Sequence, residues 1–201
     1  MFKSFPQIAA AAVSALALIS TSHAAEITVA NVSASSTFYT YNPINLINGS
    51  GLTGDMHSGD WFNKWITDGV PTGTLTFDLG SAFDLSSTSI WNYGPGCCGD
   101  DRSVKDLTIS LSTDGIHYAD VGTFTLSMPT TNPFGAESIG LGDSAARYVR
   151  FSLLSNYGDT SYTGLSEVKF YGVPAVPEAD AMAYAAVGAA VVGLALRRRR
   201  A

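Results

Sequence analysis

The sequence predicts an all-β fold, an antiparallel β-sandwich that lies between two apolar terminal segments. Three observations indicate this class. Several segments alternate apolar and polar residues with a period of two, which is typical of half-buried strands. The intervening segments are rich in Gly, Asp, Asn and Pro, and the central region is rich in Ser, Thr, Tyr and Phe but poor in Lys and Glu. Such a composition disfavours helices.

The predicted strands follow in order along the chain, and each places its apolar residues on one face. The segments are "GTLTFDLG", "VKDLTISLS", "ARYVRFSLL" and "EVKFYG". Their predicted core residues are Leu75, Phe77 and Leu79; Leu107, Ile109 and Leu111; Val149, Phe151 and Leu153; and Val168 and Phe170. Only the region from Asn42 to Asn48 suggests a helical turn.

The N-terminal segment, residues 1–25, resembles a secretory signal peptide with a signal helix. It contains Lys3, a short apolar run, and then Ser22-His23-Ala24 before Ala25. We expect signal peptidase to cleave after Ala24 or Ala25. A permanent anchoring helix is the alternative, but the apolar run is short for a bilayer, which needs roughly 20 residues. The segment therefore predicts an exported protein.

The C-terminal segment, residues 174–201, combines Pro177 and Glu178 with an apolar helix over 181–196 and an arginine cluster over 197–200. This combination resembles a PEP-CTERM sorting signal, which exosortase processes in Gram-negative bacteria. The family pattern reads Pro-Glu-Pro, whereas Ala179 stands at the third position here. The resemblance implies a transient anchor in the inner membrane, with the arginines cytoplasmic, and delivery to the envelope surface or the extracellular matrix. An ordinary single-span tail anchor is the alternative.

The composition of the central region, residues 26–173, limits its function. The region has the size of one domain, and the whole chain of 201 residues has a formal net charge of -6. No Lys/Arg cluster precedes the tail, which argues against a nucleic-acid partner. No nucleophile elbow or zinc motif is present, and Asp100-Asp101 has the character of a solvated turn. The sequence therefore predicts a non-catalytic protein, with a secreted hydrolase as the alternative.

Five short motifs occur along the central region in a specific order. They are "SASST"; "LINGSGLTG" followed by tryptophans; "LTFDLG"; "RSVKDLTISLSTDG"; and a closing pair, "YVR" and "EVKFYG". In this order they resemble the discoidin, or coagulation-factor type C, domain, including carbohydrate-binding modules of family thirty-two. The resemblance covers almost the whole central region. It implies that the sandwich is a galactose-binding-like jelly roll.

The resemblance also implies a structural Ca²⁺ in the turn "YNPINLINGSGLTG". The implied ligands are the Asn45 carbonyl, Asn48 side chain, Ser50 carbonyl, Thr53, Ser166 carbonyl and Glu167. Calcium accepts six to eight oxygens, including backbone carbonyls in tight turns. However, Asn48 replaces the family's Asp and removes one negative charge. The alternative is a loop closed by its own Asn and Ser hydrogen bonds, without an ion.

Modules of this kind bind sugars through loops at one end of the sandwich. The resemblance therefore implies a polysaccharide or glycan as partner, with candidate contacts in "GDMHSGDWFNKW" and "WNYGPGCCGDDR". The candidates are His57, Trp61, Asn92, Tyr93 and Arg102. Alternatively, Trp61 or Trp65 packs in the core and Arg102 pairs with Asp100 or Asp101. A structural surface spacer without a specific ligand is the alternative function.

The two cysteines, Cys97 and Cys98, are adjacent and are flanked by Gly96 and Gly99. Export to an oxidising compartment favours a disulfide. A bond between neighbours closes a strained ring, and flanking glycines reduce that strain. We predict a vicinal disulfide that forms a rigid knob on a binding loop. Two reduced thiols or an intermolecular bridge are the alternatives.

Overall fold

The computed structural model describes residues 23–96 and 99–175. The predicted signal helix, Cys97 and Cys98, and the sorting tail with Pro177 and Glu178 therefore lie outside the described residues. Within this part of the chain, no helix is long and apolar enough to cross a membrane. The predicted apolar helix over 181–196 is outside it.

The described chain contains ten strands and three short 3₁₀ turns. The strands are β1 (Ala25–Ile27), β2 (Asn31–Ala34), β3 (Leu52–Thr53), β4 (Met56–His57), β5 (Trp65–Ile66), β6 (Gly73–Asn92), β7 (Val104–Ser112), β8 (Ala119–Thr125), β9 (Glu137–Asn156) and β10 (Gly164–Pro174). The 3₁₀ turns are Pro43–Leu46, Trp61–Asn63 and Asp100–Arg102. The first confirms the helical turn predicted between Asn42 and Asn48, and the Asn42 side chain caps it by accepting the Ile44 N–H at 3.0 Å.

Two long strands, β6 and β9, run through both layers of the sandwich. The first part of β6 (73–78) pairs with β2 and with the second part of β9, next to β7 and β8. The last part of β6 (83–92) pairs with β10 and with the first part of β9. All these pairings are antiparallel, so the predicted antiparallel β-sandwich is confirmed.

The bend in β6 follows the Asp-Leu-Gly motif at its centre. Gly80 has φ +80°, a conformation that a residue with a Cβ rarely adopts. Its N–H donates to Asp78 Oδ1 at 2.8 Å. The Asp78 carboxylate also accepts two bonds from Arg147, at 2.9 and 3.0 Å. The motif therefore shapes the bend and ties it to β9.

The hydrophobic core lies between the two layers. Phe77 and Phe151 belong to one layer and Phe170 to the other, with ring centroids 5.2 to 6.1 Å apart and edge-to-face geometry. The predicted core residues are buried at all eleven positions named above, none more than 7% exposed. Strand alternation in the sequence thus identified the inward faces correctly.

Four long loops meet at one end of the sandwich. The end of β6 pairs with the start of β10 through Asn92 and Leu165, and the start of β7 pairs with the end of β9 through Val104 and Asn156. The loops from β6 to β7 and from β9 to β10 therefore lie at the same end of the sandwich. The loop before β9 returns to the same end, since Ile90 pairs with Glu137. We call this end the loop end. It comprises 35–64, 93–103, 126–136 and 157–163.

Candidate functional site

A row of aromatic side chains runs across the loop end. The rings of Phe62 and Trp61 lie 3.6 Å apart between centroids, and Trp61 lies 5.7 Å from Tyr41. Tyr41 lies 6.1 Å from Phe38, which contacts Tyr162 edge-to-face at 5.0 Å. We call these five residues the aromatic strip. They come from two of the four loops, 35–64 and 157–163, so only the folded chain brings them together.

The strip is buried at its centre and exposed at its Phe62 end. Tyr41 is 6% exposed, Trp61 is half-buried and Phe62 is 66% exposed. The 3₁₀ turn Trp61–Asn63 presents this exposed end. The Asn45 amide holds the turn in place by donating to the Phe62 and Lys64 carbonyls at 2.9 and 3.0 Å. The structure therefore presents an apolar ring surface on a supported backbone.

A charged pair lies at the other end of the aromatic strip. Arg102 Nε donates to Asp159 Oδ2 at 2.8 Å, and the guanidinium lies 4.7 Å from the centre of the Tyr162 ring. Burial opposes ionisation of Asp159, but the Ser161 N–H, the Arg102 side chain and the Tyr162 N–H together lower its pKa. The pair is thus ionised and held by neighbouring loops, which orients two planar polar groups beside the rings.

A buried ammonium group supports the floor of the site. Lys64 is 1% exposed, donates to the Gly94 carbonyl at 2.8 Å, and lies 4.2 Å from the centre of the Tyr93 ring. Burial lowers the pKa of Lys64 to about 8, although the charges of Asp100 and Asp60 oppose this shift. Lys64 therefore stabilises the loop after β6 from beneath and does not present a charge to solvent.

Two of the five predicted sugar contacts lie in this site. Trp61 belongs to the aromatic strip, and Arg102 pairs with Asp159 rather than with the expected Asp100 or Asp101. Trp65, the alternative core tryptophan, is indeed fully buried, and its Nε1 donates to the Ser36 carbonyl at 3.2 Å.

The other three predicted contacts, His57, Tyr93 and Asn92, have buried side chains, and a sugar contact for them stays a prediction. His57 is 0% exposed; its Nδ1 bonds the Ser58 carbonyl at 2.7 Å and its ring packs 5.6 Å from Phe134. Tyr93 is 2% exposed and lies against Lys64. His57 Nε2 is buried without a hydrogen-bond partner, and Tyr93 packs in the same cluster as Tyr41, Phe38 and Trp61.

Asn92 has its own structural role. Its amide group donates to the carbonyls of Val104 and Ser127 at 2.7 and 2.9 Å. Its Oδ1 accepts the N–H groups of Tyr93 and Val104 at 2.8 and 2.9 Å. All of its strong donors and acceptors are therefore used in joining the ends of β6 and β7.

Sequence reasoning missed most of the aromatic strip and the partner of Arg102. Phe62 follows Trp61 directly, and an aromatic pair in a polar loop is a signal that was available. Tyr162 and Asp159 lie in a Gly/Ser/Thr-rich loop far along the chain. Nothing in that local sequence indicates a contact with Arg102, which is 57 residues away.

The turn containing the predicted calcium ligands lies against β10. Gly49, at φ +70°, donates its N–H to both Glu167 oxygens at 3.3 and 3.2 Å, and Asn48 Oδ1 accepts the Ser50 N–H at 2.8 Å. Asn48, Gly49 and Glu167 line a cleft of about 220 Å³. Thr53 is exposed and lines a different cavity, with Gly51.

The chemistry of this cleft is compatible with a calcium ion. Glu167 is 2% exposed, and burial raises the pKa of its carboxyl to about 7 even though the Gly49 N–H opposes the shift. The hydroxyl oxygens of Ser50 and Ser166, next in sequence to the lining residues Gly49 and Glu167, are buried without a hydrogen-bond partner. No three His, Cys, Asp or Glu residues converge anywhere in the described ranges. An ion here would therefore combine the Glu167 carboxylate with neutral amide and carbonyl oxygens, which calcium accepts.

Comparisons with solved structures agree with this architecture. A truncated AlyQ with family 32 carbohydrate-binding and alginate lyase domains superposes with TM-score 0.58 at 25% identity, over 77% of this chain and 34% of that one. This chain thus spans about a third of that structure. The AlyQ family 32 module in complex with 4,5-unsaturated mannuronic acid gives TM-score 0.53 at 25% identity, over 73% and 97% of the two chains.

A more distant structure shares the fold. The family 32 module of Clostridium perfringens NanJ, in complex with galactose, has TM-score 0.57 at 18% identity, over 74% of this chain and 99% of that one. No curated protein matches the chain. Residues 31–168 match the F5/8 type C domain family. The matched residues include the strands from β2 into β10 and all four loops of the loop end. The chain therefore belongs to the F5/8 type C domain family.

Proposed function

We propose that this protein is an exported, non-catalytic surface or matrix protein that binds a glycan through the loop end of its sandwich. One observation supports this most directly. The aromatic strip crosses loops at one end of a rigid scaffold, and the Arg102–Asp159 pair lies at the Tyr162 end of that strip.

The chemistry of these groups suits a sugar. An aromatic face covers the C–H surface of a pyranose, while a guanidinium or carboxylate bonds two neighbouring hydroxyls. Phe62 and Trp61 provide such a face, and Arg102 and Asp159 provide the planar polar groups. The AlyQ and NanJ modules, which bind an unsaturated mannuronic acid and galactose, support a glycan as the ligand class.

A glycan array with the exported protein tests this function. We expect selective binding, which the Phe62→Ala variant loses. The Ile116→Ala variant is a matched control, since Ile116 is 76% exposed and lies in the β7–β8 turn at the opposite end of the sandwich. Equal, weak binding to every glycan and to native exopolysaccharide would favour the structural spacer instead.

The proposed absence of catalysis has support from the candidate acid and base residues. His57 is buried, and His117 pairs with Asp114 at 2.7 Å in the turn opposite the loop end. The Asp101 carbonyl accepts the Tyr157 N–H, which places its backbone in a structural contact. Release of reducing sugar from exopolysaccharide by the purified protein, abolished in Asp101→Asn, would establish the hydrolase alternative.

We also propose that the chain is processed at both ends. Signal peptidase would cleave after Ala24 or Ala25, and exosortase would act at Pro177-Glu178 while the apolar helix is in the inner membrane. Intact-mass analysis of the surface-located protein tests this. A mature form beginning at Ala25 or Glu26 and lacking the arginine cluster is expected; a form that retains the cluster would indicate an ordinary tail anchor.

The third proposal is a structural calcium ion in the cleft between the Asn45–Ser50 turn and β10. Its role would be to neutralise the buried Glu167 carboxylate and hold the turn against the strand. Calorimetric titration of calcium into chelator-treated protein tests it, with the melting temperature as a second readout. Absence of both heat and a shift in melting temperature would remove the ion.

A further inference from the structure

A second carboxylate lies in the same cleft as Glu167. The cleft is also lined by Glu26 from β1 and by Lys169 from β10. Glu26 pairs across the ladder with Tyr171. Because side chains alternate along a strand, Glu167, Lys169 and Tyr171 share the face of β10 opposite to the core residues Val168 and Phe170.

The cleft contains two carboxyl groups, of Glu26 and Glu167, but only one ammonium group, of Lys169. Lys169 Nζ lies 3.0 Å from Glu26 Oε2, with 23% and 52% of the two side chains exposed. No ion pair within 4.0 Å joins Lys169 to Glu167 among the described residues. Glu167 therefore has the Gly49 N–H as its hydrogen-bond donor, while the available ammonium is bound to the more exposed carboxylate.

The charges of Glu26 and Lys169 act on Glu167, because all three side chains line one cleft. The three groups thus share one electrostatic environment. Two carboxyl groups and one ammonium group line the cleft, and the neutral amide of Asn48 adds no charge.

We propose that Glu26 supplies the second negative charge of the calcium site and that Lys169 is a tethered cation which calcium must displace. The proposal depends on the calcium ion proposed above and is independent of glycan binding. Glu26 restores the charge that Asn48 does not provide. Lys169 can leave the cleft, because its long side chain is 23% exposed.

Opposite effects of two substitutions distinguish this arrangement from a general loss of structure. Glu26→Gln removes an attractive charge, so we expect calcium affinity to fall by roughly tenfold. Lys169→Met keeps the aliphatic stem but removes the competing charge, so affinity should rise by roughly tenfold. A misfolded variant would lose affinity and not gain it.

The experiment measures calcium binding to the full exported protein by calorimetry, with melting temperature in chelator and in excess calcium as a second readout. Lys105→Met is the matched control, since Lys105 is exposed at the start of β7 and is absent from the cleft. Reduced affinity in Glu26→Gln, increased affinity in Lys169→Met and an unchanged control support the proposal. Wild-type affinity in both cleft variants would overturn it, and so would wild-type protein that binds no calcium. Either result leaves the glycan proposal standing, because that is tested separately on the array.

Discussion

Replacing Phe62 with Ala is the most direct test of the aromatic strip as a sugar platform. The Phe62 side chain is 66% exposed, which corresponds to about 130 Å² of apolar surface available to a ligand. A pyranose that covers half of this surface removes about 65 Å² from water, worth about 1.6 kcal/mol at 25 cal/mol per Å². We therefore expect the dissociation constant of the preferred glycan to increase about 15-fold.

The measurement is calorimetric titration of the best glycan from the array into wild type, Phe62→Ala and the control Ile116→Ala. Because Phe62 is mostly exposed, its loss should leave the melting temperature within about 2 °C of wild type, and Ile116→Ala should bind as wild type does. Unchanged affinity in Phe62→Ala, with selective binding retained, would show that the sugar binds elsewhere. The strip would then be part of the loop packing alone.

Three further substitutions test the two buried side chains that hold the loops, Lys64 and Asn92, and the calcium cleft. Lys64→Met removes a buried ammonium group whose pKa in the folded protein is about 8, below its value in the unfolded chain. Between pH 8 and 10.5 the unfolded wild-type chain therefore binds more protons than the folded protein, so the free energy of unfolding of wild type should rise with pH. Relative to Lys64→Met, wild type should gain about 2 kcal/mol between pH 7 and 9.5 in urea unfolding; parallel pH profiles would contradict this. Asn92→Ala leaves the Val104 and Ser127 carbonyls without their donor and should lower the free energy of unfolding by about 2–4 kcal/mol. The glycan affinity at 25 °C should be retained. Lost glycan affinity with unchanged stability would instead indicate that Asn92 only contacts the ligand. Asn48→Asp restores a carboxylate to the cleft and should raise calcium affinity at least about tenfold by calorimetry; equal affinities would exclude Asn48 as a ligand.

The fold could be predicted from the sequence because its main signal is local. Alternation along β6, β7, β9 and β10 identifies the buried face of each strand without reference to any other strand. The Asp78-Leu79-Gly80 motif likewise forms its bend through a hydrogen bond between residues two apart. Such features follow from the residues themselves and are confirmed where the structure describes them.

The functional surface could not be predicted as well, because polar and aromatic loop residues carry no periodicity. Asn92 is the last residue of β6 and Phe62 lies in the loop 35–64. Asn92 is buried with four hydrogen bonds, whereas Phe62 is exposed. The difference arises from what surrounds each side chain. Sequence patterns do not report those surroundings.

The sequence by itself determined the strand faces, the order of the motifs and hence the family. Only the tertiary structure decided which side chains meet at the loop end and in the cleft. Arg102 meets Asp159 across 57 residues, and Gly49 meets Glu167 across 118. The physical reason is that these contacts depend on the register of strands that are distant in the chain, and a shift of one residue in that register would point each side chain to the opposite face.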